Sequence, residues 1–222
     1  MQVIRIRATY SYIGDFTDFL IKNEQKIKNF MTDYEIQSKV DQLQDGREVK
    51  SFIFTNRNVN VRFLPNRIDY DFSFVNQGVK SEESYFAAKD YFTRLAKEFS
   101  HLAAQRIAIV CQGFIPNANN EAISTFNSKF GFVNTFGECN ELKLKINNPK
   151  TLFEPINSVL NIDMGEAKNN KTQEVTKVLL VSIDVNTLAA NTNPRFNPKK
   201  FSEDFHELFA EAEMKHNALL KY

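Results

Sequence analysis

Between residues 36 and 74 apolar and polar side chains alternate with a period of two, interrupted at Asp45-Gly46 and Pro65-Asn66. Successive strand residues point to opposite faces, so this alternation specifies strands with one wet and one dry side. Asp45-Gly46 is a strong two-residue hairpin signal that lets Ile36 to Leu43 pair with Glu48 to Thr55. Val59, Val61 and Phe63 then alternate with Asn58, Asn60 and Arg62, and Ile68, Tyr70, Phe72 and Phe74 follow the proline. The expectation is an antiparallel meander that needs a cover for its apolar face.

Amphipathic helices supply that cover. Ser81-Glu82-Glu83 opens a stretch in which Phe86, Phe92, Leu95, Ala96, Phe99 and Leu102 share one face, which predicts a helix over 82–104. Ser202-Glu203-Asp204 opens a last helix with Phe205, Leu208, Phe209, Ala212 and Leu219 on one side. Phe16, Phe19, Leu20, Ile27, Phe30 and Met31 predict a further helix over 15–31 with Asp15 as its cap.

Further strands are expected at 3–10, 107–115, 141–147, 156–165 and 174–186, and a short helix runs through Phe126 and Phe130. The 107–115 run is apolar on both faces, which marks a central strand. Fold class is therefore α+β: antiparallel strand meanders with two long amphipathic helices packed on the sheet. Residues 1–104 (strand, helix, meander, long helix) and 105–222 (strands and C-terminal helix) both run from a meander into a capped helix. They are expected to form one compact unit; the parallel hints at two related halves, but identity between them is too low to make a repeat.

Composition removes whole classes of function. Hydrophobic residues at 42% and charged residues at 25% argue against disorder, and 21 phenylalanines indicate a bulky core. A net charge of +1 lacks the long-range positive field of a dedicated nucleic-acid or membrane-surface protein. Met1 to Arg7 reads as a charged strand, no run of 18 apolar residues follows, and Cys111 and Cys139 have no CxxC spacing. A cytoplasmic protein without a membrane segment is the expectation.

Chemistry-bearing patterns are missing in their common forms. A helical zinc pair needs a histidine four residues after His206, and Ala210 stands there; His101, His206 and His216 read as exposed helix residues. Cys111 sits in an apolar strand as an inert thiol, and Glu138 disfavours a Cys139 thiolate. Seven scattered glycines build no phosphate cradle. No catalytic residue, cofactor or metal ligand set is assigned. Asp69, Asp71, Asp163 and Asp184 alternate with apolar neighbours, so they read as a wet sheet face, with a divalent-metal enzyme as the alternative.

Two patches remain as candidate binding sites. Arg57, Arg62 and Arg67 border an aromatic hairpin and suit stacking or phosphate contact with nucleic acid or a nucleotide. Arg195 and Phe196, in the long connection 189–200, have the character of protein-interface anchors.

Three segments, Val59 to Ile68, Arg106 to Ile109, and Leu179 to Val185 ahead of His206 to Phe209, give the chain its resemblance to an uncharacterised, sporadically distributed family of small bacterial α+β proteins. That resemblance implies the fold class and a bacterial setting, and carries no activity. The leading functional expectation is a non-enzymatic protein-interaction module: a homo-oligomer, or one component of a bacterial or phage-related complex, defence included.

Overall fold

The computed structural model describes residues 3–43, 46, 48–74, 80–116, 143–168 and 172–220. Along the chain run β1 (Ile4–Ile13), α1 (Thr17–Phe30), β2 (Glu35–Gln42), β3 (Glu48–Asn56), β4 (Val59–Leu64), β5 (Arg67–Ser73), α2 (Ser81–Glu98), β6 (Arg106–Ile115), β7 (Lys143–Asn147), β8 (Lys150–Thr151), β9 (Pro155–Lys168), β10 (Val175–Thr187) and α3 (Phe201–Leu220). One antiparallel sheet takes in all ten strands in the order β2-β3-β4-β5-β1-β6-β10-β9-β7, with β8 paired to β9. The α+β class and the antiparallel meander are as the alternation requires. The expected short helix at Phe126 and Phe130, and Cys139, lie outside the described residues.

The first strands of the two halves, β1 and β6, pair at the centre. Outward from them each half places its last strand, β5 or β10, and then the one before, β4 or β9. A register slip between Arg5 and Arg7 interrupts the central pair. Gly113 is required opposite it, because a Cβ there would lie 2.6 Å from the Ile4 carbonyl oxygen.

The three helices of the described residues cover one face. Register places Ala8, Tyr10 and Tyr12 of β1 beside Ile68 and Tyr70 of β5, and Ile107 and Ile109 of β6, on that side. Phe92 of α2 stacks on Phe201 (centroids 5.3 Å apart), which stacks on Phe205 (4.6 Å), and Tyr12 meets Phe92 and Phe205 edge-on at 4.9 and 5.3 Å. Aromatic burial on this scale supplies much of the driving force for folding. Leu20 and Ile27 bring α1 down over β3 and β4, where Phe52, Phe54 and Phe63 lie fully buried.

Both ends of α2 differ from expectation. Lys80 N donates to the Glu83 carboxylate, so α2 starts at Ser81, and it stops at Glu98, leaving Phe99 and Leu102 to pack from the turn beyond. Phe86, expected in the core, is 56% exposed, because Tyr85, Ala88, Phe92 and Leu95 already define the buried stripe and Phe86 lies about 100° from Tyr85. No helix among the described residues is long and apolar enough to cross a membrane.

Candidate functional site

Arg62 and Arg67 do meet, on the sheet face opposite the helices. Arg62 Nη2 lies 3.0 Å from both Asp69 Oδ2 and Asp71 Oδ2, and Arg67 Nε lies 3.0 Å from Asp69 Oδ2. From β1, the Ser11 hydroxyl donates to Asp69 Oδ1 at 2.7 Å and the Thr9 hydroxyl to Asp71 Oδ1 at 2.6 Å. Two guanidinium groups therefore face two carboxylates, and the local charge sums to zero. Arg57 sits apart in the β3–β4 turn with a φ of 44°, and it alone of the three has no carboxylate partner among the described ion pairs. A phosphate backbone gains little from a pair of cations that are already neutralised.

These contacts correct the reading of Asp69 and Asp71 as a wet face. Asp69 is fully buried and Asp71 nearly so, because the pairing of β5 with β1 and β4 seats each carboxylate between a hydroxyl and an arginine. Burial raises the Asp69 carboxyl above its ordinary range, against the Ser11 hydrogen bond and the two arginines, which lower it. Asp163 does stand exposed. The four aspartates do not converge: Asp71 faces Thr9, Thr9 faces Val110 and Val110 faces Asp184, which separates the two carboxylates by three strand spacings, roughly 14 Å. Among the described residues no three His, Cys, Asp or Glu side chains are placed to share a metal ion.

Arg195 and Phe196 face inward, contrary to their reading as surface anchors. Phe196 is 4% exposed, bridged through its backbone to Ala104, with the Arg195 guanidinium 4.5 Å above its ring. Arg195 also grips Glu154 through two nitrogens, at 2.7 and 3.0 Å, and donates to the Gln105 carbonyl. A side chain so occupied ties the 189–200 connection to the end of the sheet.

The last helix carries a polar lining that the sequence pattern hides. Glu213 accepts both terminal nitrogens of Arg5, at 2.6 and 2.8 Å, and the Ser81 hydroxyl at 3.0 Å. Glu211 is buried against Ser158 and Lys150. His216, expected exposed, is buried with Nδ1 3.0 Å from Arg5 Nη2. Residues 211–216 pass over the sheet where Arg5, Lys150 and Ser158 need partners, which turns charged positions inward. The Cys111 thiol in the same region is pushed up to about 12 by burial, so it is no nucleophile at neutral pH.

Two groups on α3 titrate in opposite senses. Burial, with Arg5 beside it and Glu213 opposing, lowers His216 to about 4. Its contribution is complete above an ordinary histidine value and is lost as pH falls toward 4. Burial raises Asp204 to about 6, against Lys200 and with Glu203 and Glu154. Its contribution is complete below the ordinary Asp range and is lost as pH rises through about 6. The two changes offset one another between pH 4 and 6. Relative to wild type, Asp204→Asn is expected to gain about 1 kcal/mol from pH 4 to 7 once the shift is discounted for solvent screening. His216→Gln is expected to gain about 2 kcal/mol from pH 7 to 4. Urea unfolding across this range reads both; parallel profiles for all three proteins would contradict the assignment.

Among the described residues no strand pairs with the outer sides of β2 and β7, and these two edges differ in kind. β7 is five residues long and carries Lys143 and Lys145, which suits an edge protected against pairing. β2 is eight residues long, contains no proline, and is exposed along nearly its whole length. It lies at the margin of the helix layer, since α1 packs chiefly on β3 and β4. On the helix side Ile36 and Val40 are 44% and 53% exposed, and Ile21 of α1 is 52% exposed nearby. Leu20, Ile21, Glu24, Val40, Glu48 and Lys50 line a cleft of about 210 Å³ between helix and edge. On the other side Lys39 pairs with Asp41 at 3.1 Å, and Asp41 accepts the Ser51 hydroxyl. Sequence alternation marks β2 as a strand but holds no sign of its place in the sheet, so these exposed apolar residues escape it.

No family model, no curated protein and no solved structure matches the chain.

Proposed function

We propose that this chain is a non-enzymatic protein-interaction module whose working surface is the free edge of β2, acting within a bacterial or phage-related assembly. The observation that carries the reading is an eight-residue outer strand with Ile36 and Val40 exposed on one face, four residues apart. Unpaired backbone groups along such a strand give affinity to an incoming strand, and alternate side chains give selectivity. The Arg57, Arg62 and Arg67 rim is the weaker surface, because Asp69 and Asp71 neutralise two of its three cations. The bacterial setting is motivated by the sequence resemblance alone.

Ile36→Lys with Val40→Lys tests the reading, since both positions are already solvated and lysine is a natural edge protector. Tagged protein expressed in its native host is expected to bring down an associated chain, a second copy of itself included. The double variant is expected to lose that chain while keeping the wild-type unfolding midpoint. Identical associated chains in both proteins, or none with the wild type, would overturn the proposal.

A further inference from the structure

Resting on that reading of β2, we infer that its occupant is a second copy of this chain, paired antiparallel about a two-fold axis through Val40. The three helices of the described residues lie on one face of the sheet, so an axis perpendicular to the sheet carries both helix layers to the same side of a continuous double-length sheet. Such an axis pairs only residues that share a face. The possible registers are therefore few, and side-chain charge separates them.

An axis at Ser38 sets Glu35 against the partner's Asp41 twice. One at Lys39 opposes two lysines, and one at Asp41 opposes two aspartates. At Gln37 the pairing of Glu35 with the partner's Lys39 is favourable, but it sets glutamine on glutamine and leaves Val40 opposite no residue of the partner's β2. Like charges directly opposite are destabilising in an antiparallel pair. Within β2 only the Val40 axis joins opposite charges and an apolar pair: Lys39 faces the partner's Asp41 twice, Ser38 faces the partner's Gln42, and Val40 meets Val40.

On the solvated face this builds an alternating quartet from the Lys39 and Asp41 pair already present within each copy at 3.1 Å. On the helix face the two valines meet beside the clefts lined by Leu20 and Ile21, removing the most exposed apolar side chain of β2 from water.

Two measurements on the purified chain decide it. Light scattering over a dilution series is expected to show a monomer–dimer equilibrium. Lys39→Glu and Asp41→Lys should each weaken it about tenfold, and the double reversal should restore it, as expected when two opposite-charge pairs become like-charge pairs. In a Cys139→Ser background that keeps the buried Cys111, Val40→Cys is expected to give a covalent dimer on mild oxidation, because directly opposed strand residues fall within disulfide reach. Ser38→Cys and the background itself should stay monomeric on a non-reducing gel. A native chain that is monomeric throughout, a double reversal no better than either single one, or stronger cross-linking at Ser38 than at Val40 overturns the inference. If the native chain is monomeric while its host assembly still depends on Ile36 and Val40, self-pairing falls and the edge reading stands.

Discussion

Arg62→Ala is expected to destabilise the protein by about 3 kcal/mol, with a penalty that grows as pH rises through the acid range. Among the described residues Arg62 is the one cation that touches both Asp69 and Asp71, and Asp69 has no exposure to water. Removing it leaves two buried carboxylates to share Arg67, which reaches only Asp69. Asp69 is already raised by burial, and losing Arg62 raises it further. A raised carboxyl favours the folded state at low pH and loses that contribution as pH climbs through the folded value, so the variant should recover toward wild type near pH 4. Urea unfolding at pH 4 and 7 measures this. Arg57→Ala in the nearby turn should change stability by less than about 0.5 kcal/mol. Equal small effects for both arginines would mean that the ion cluster contributes nothing and that Arg62 is free for a ligand. Anisotropy with labelled single strands at low salt completes the comparison: weak binding, unaltered by Arg62→Ala, is the expected result.

Phe205→Ala should be the more damaging change, costing about 4 kcal/mol. Its ring is fully buried, stacks on Phe201 and meets Tyr10 and Tyr12 from the central strand. Because α2, α3 and β1 all converge there, no single element can shift inward to fill the space without losing contact with the other two. Phe86→Ala, on the solvated side of α2, should stay within about 0.5 kcal/mol, so one residue type separates core from surface. Denaturant midpoints at constant slope are the measurement, and similar midpoints for the two variants would contradict the packing described.

Local periodicity carried the architecture a long way. The meander over β2 to β5 and the apolar character of β6 were readable because strand alternation and turn chemistry are short-range properties. What failed required knowing neighbours across the sheet. Asp69 and Asp71 read as solvated because they alternate with Ile68, Tyr70 and Phe72, yet Thr9, Ser11 and Arg62, distant in sequence, enclose them. His216 read as an exposed helix residue, but the sheet beneath α3 presents Arg5, Lys150 and Ser158, which draw Glu211, Glu213 and His216 inward. Phe196 read as a surface anchor because it lies in a polar, proline-bearing connection, and its burial depends on a bridge to Ala104. The β2 edge is the same lesson reversed: its pattern is that of any hairpin strand, and only the strand order leaves it outermost.

The central pairing of β1 with β6 also sets an order of events during synthesis. Domains are generally assembled from the N-terminus as the chain emerges. By the end of α2 the growing chain holds β1 to β5, enough for a five-stranded sheet under two helices. β1 then forms a bare margin, and Tyr10 and Tyr12 lack the cover of Phe201 and Phe205, which the ribosome has yet to make. The nascent half is thus adhesive along the strand that will become the middle of the finished sheet. Shortening the delay before β6 and α3 appear should raise the yield of native chains, and a premature stop after residue 104 should leave a fragment that aggregates through β1.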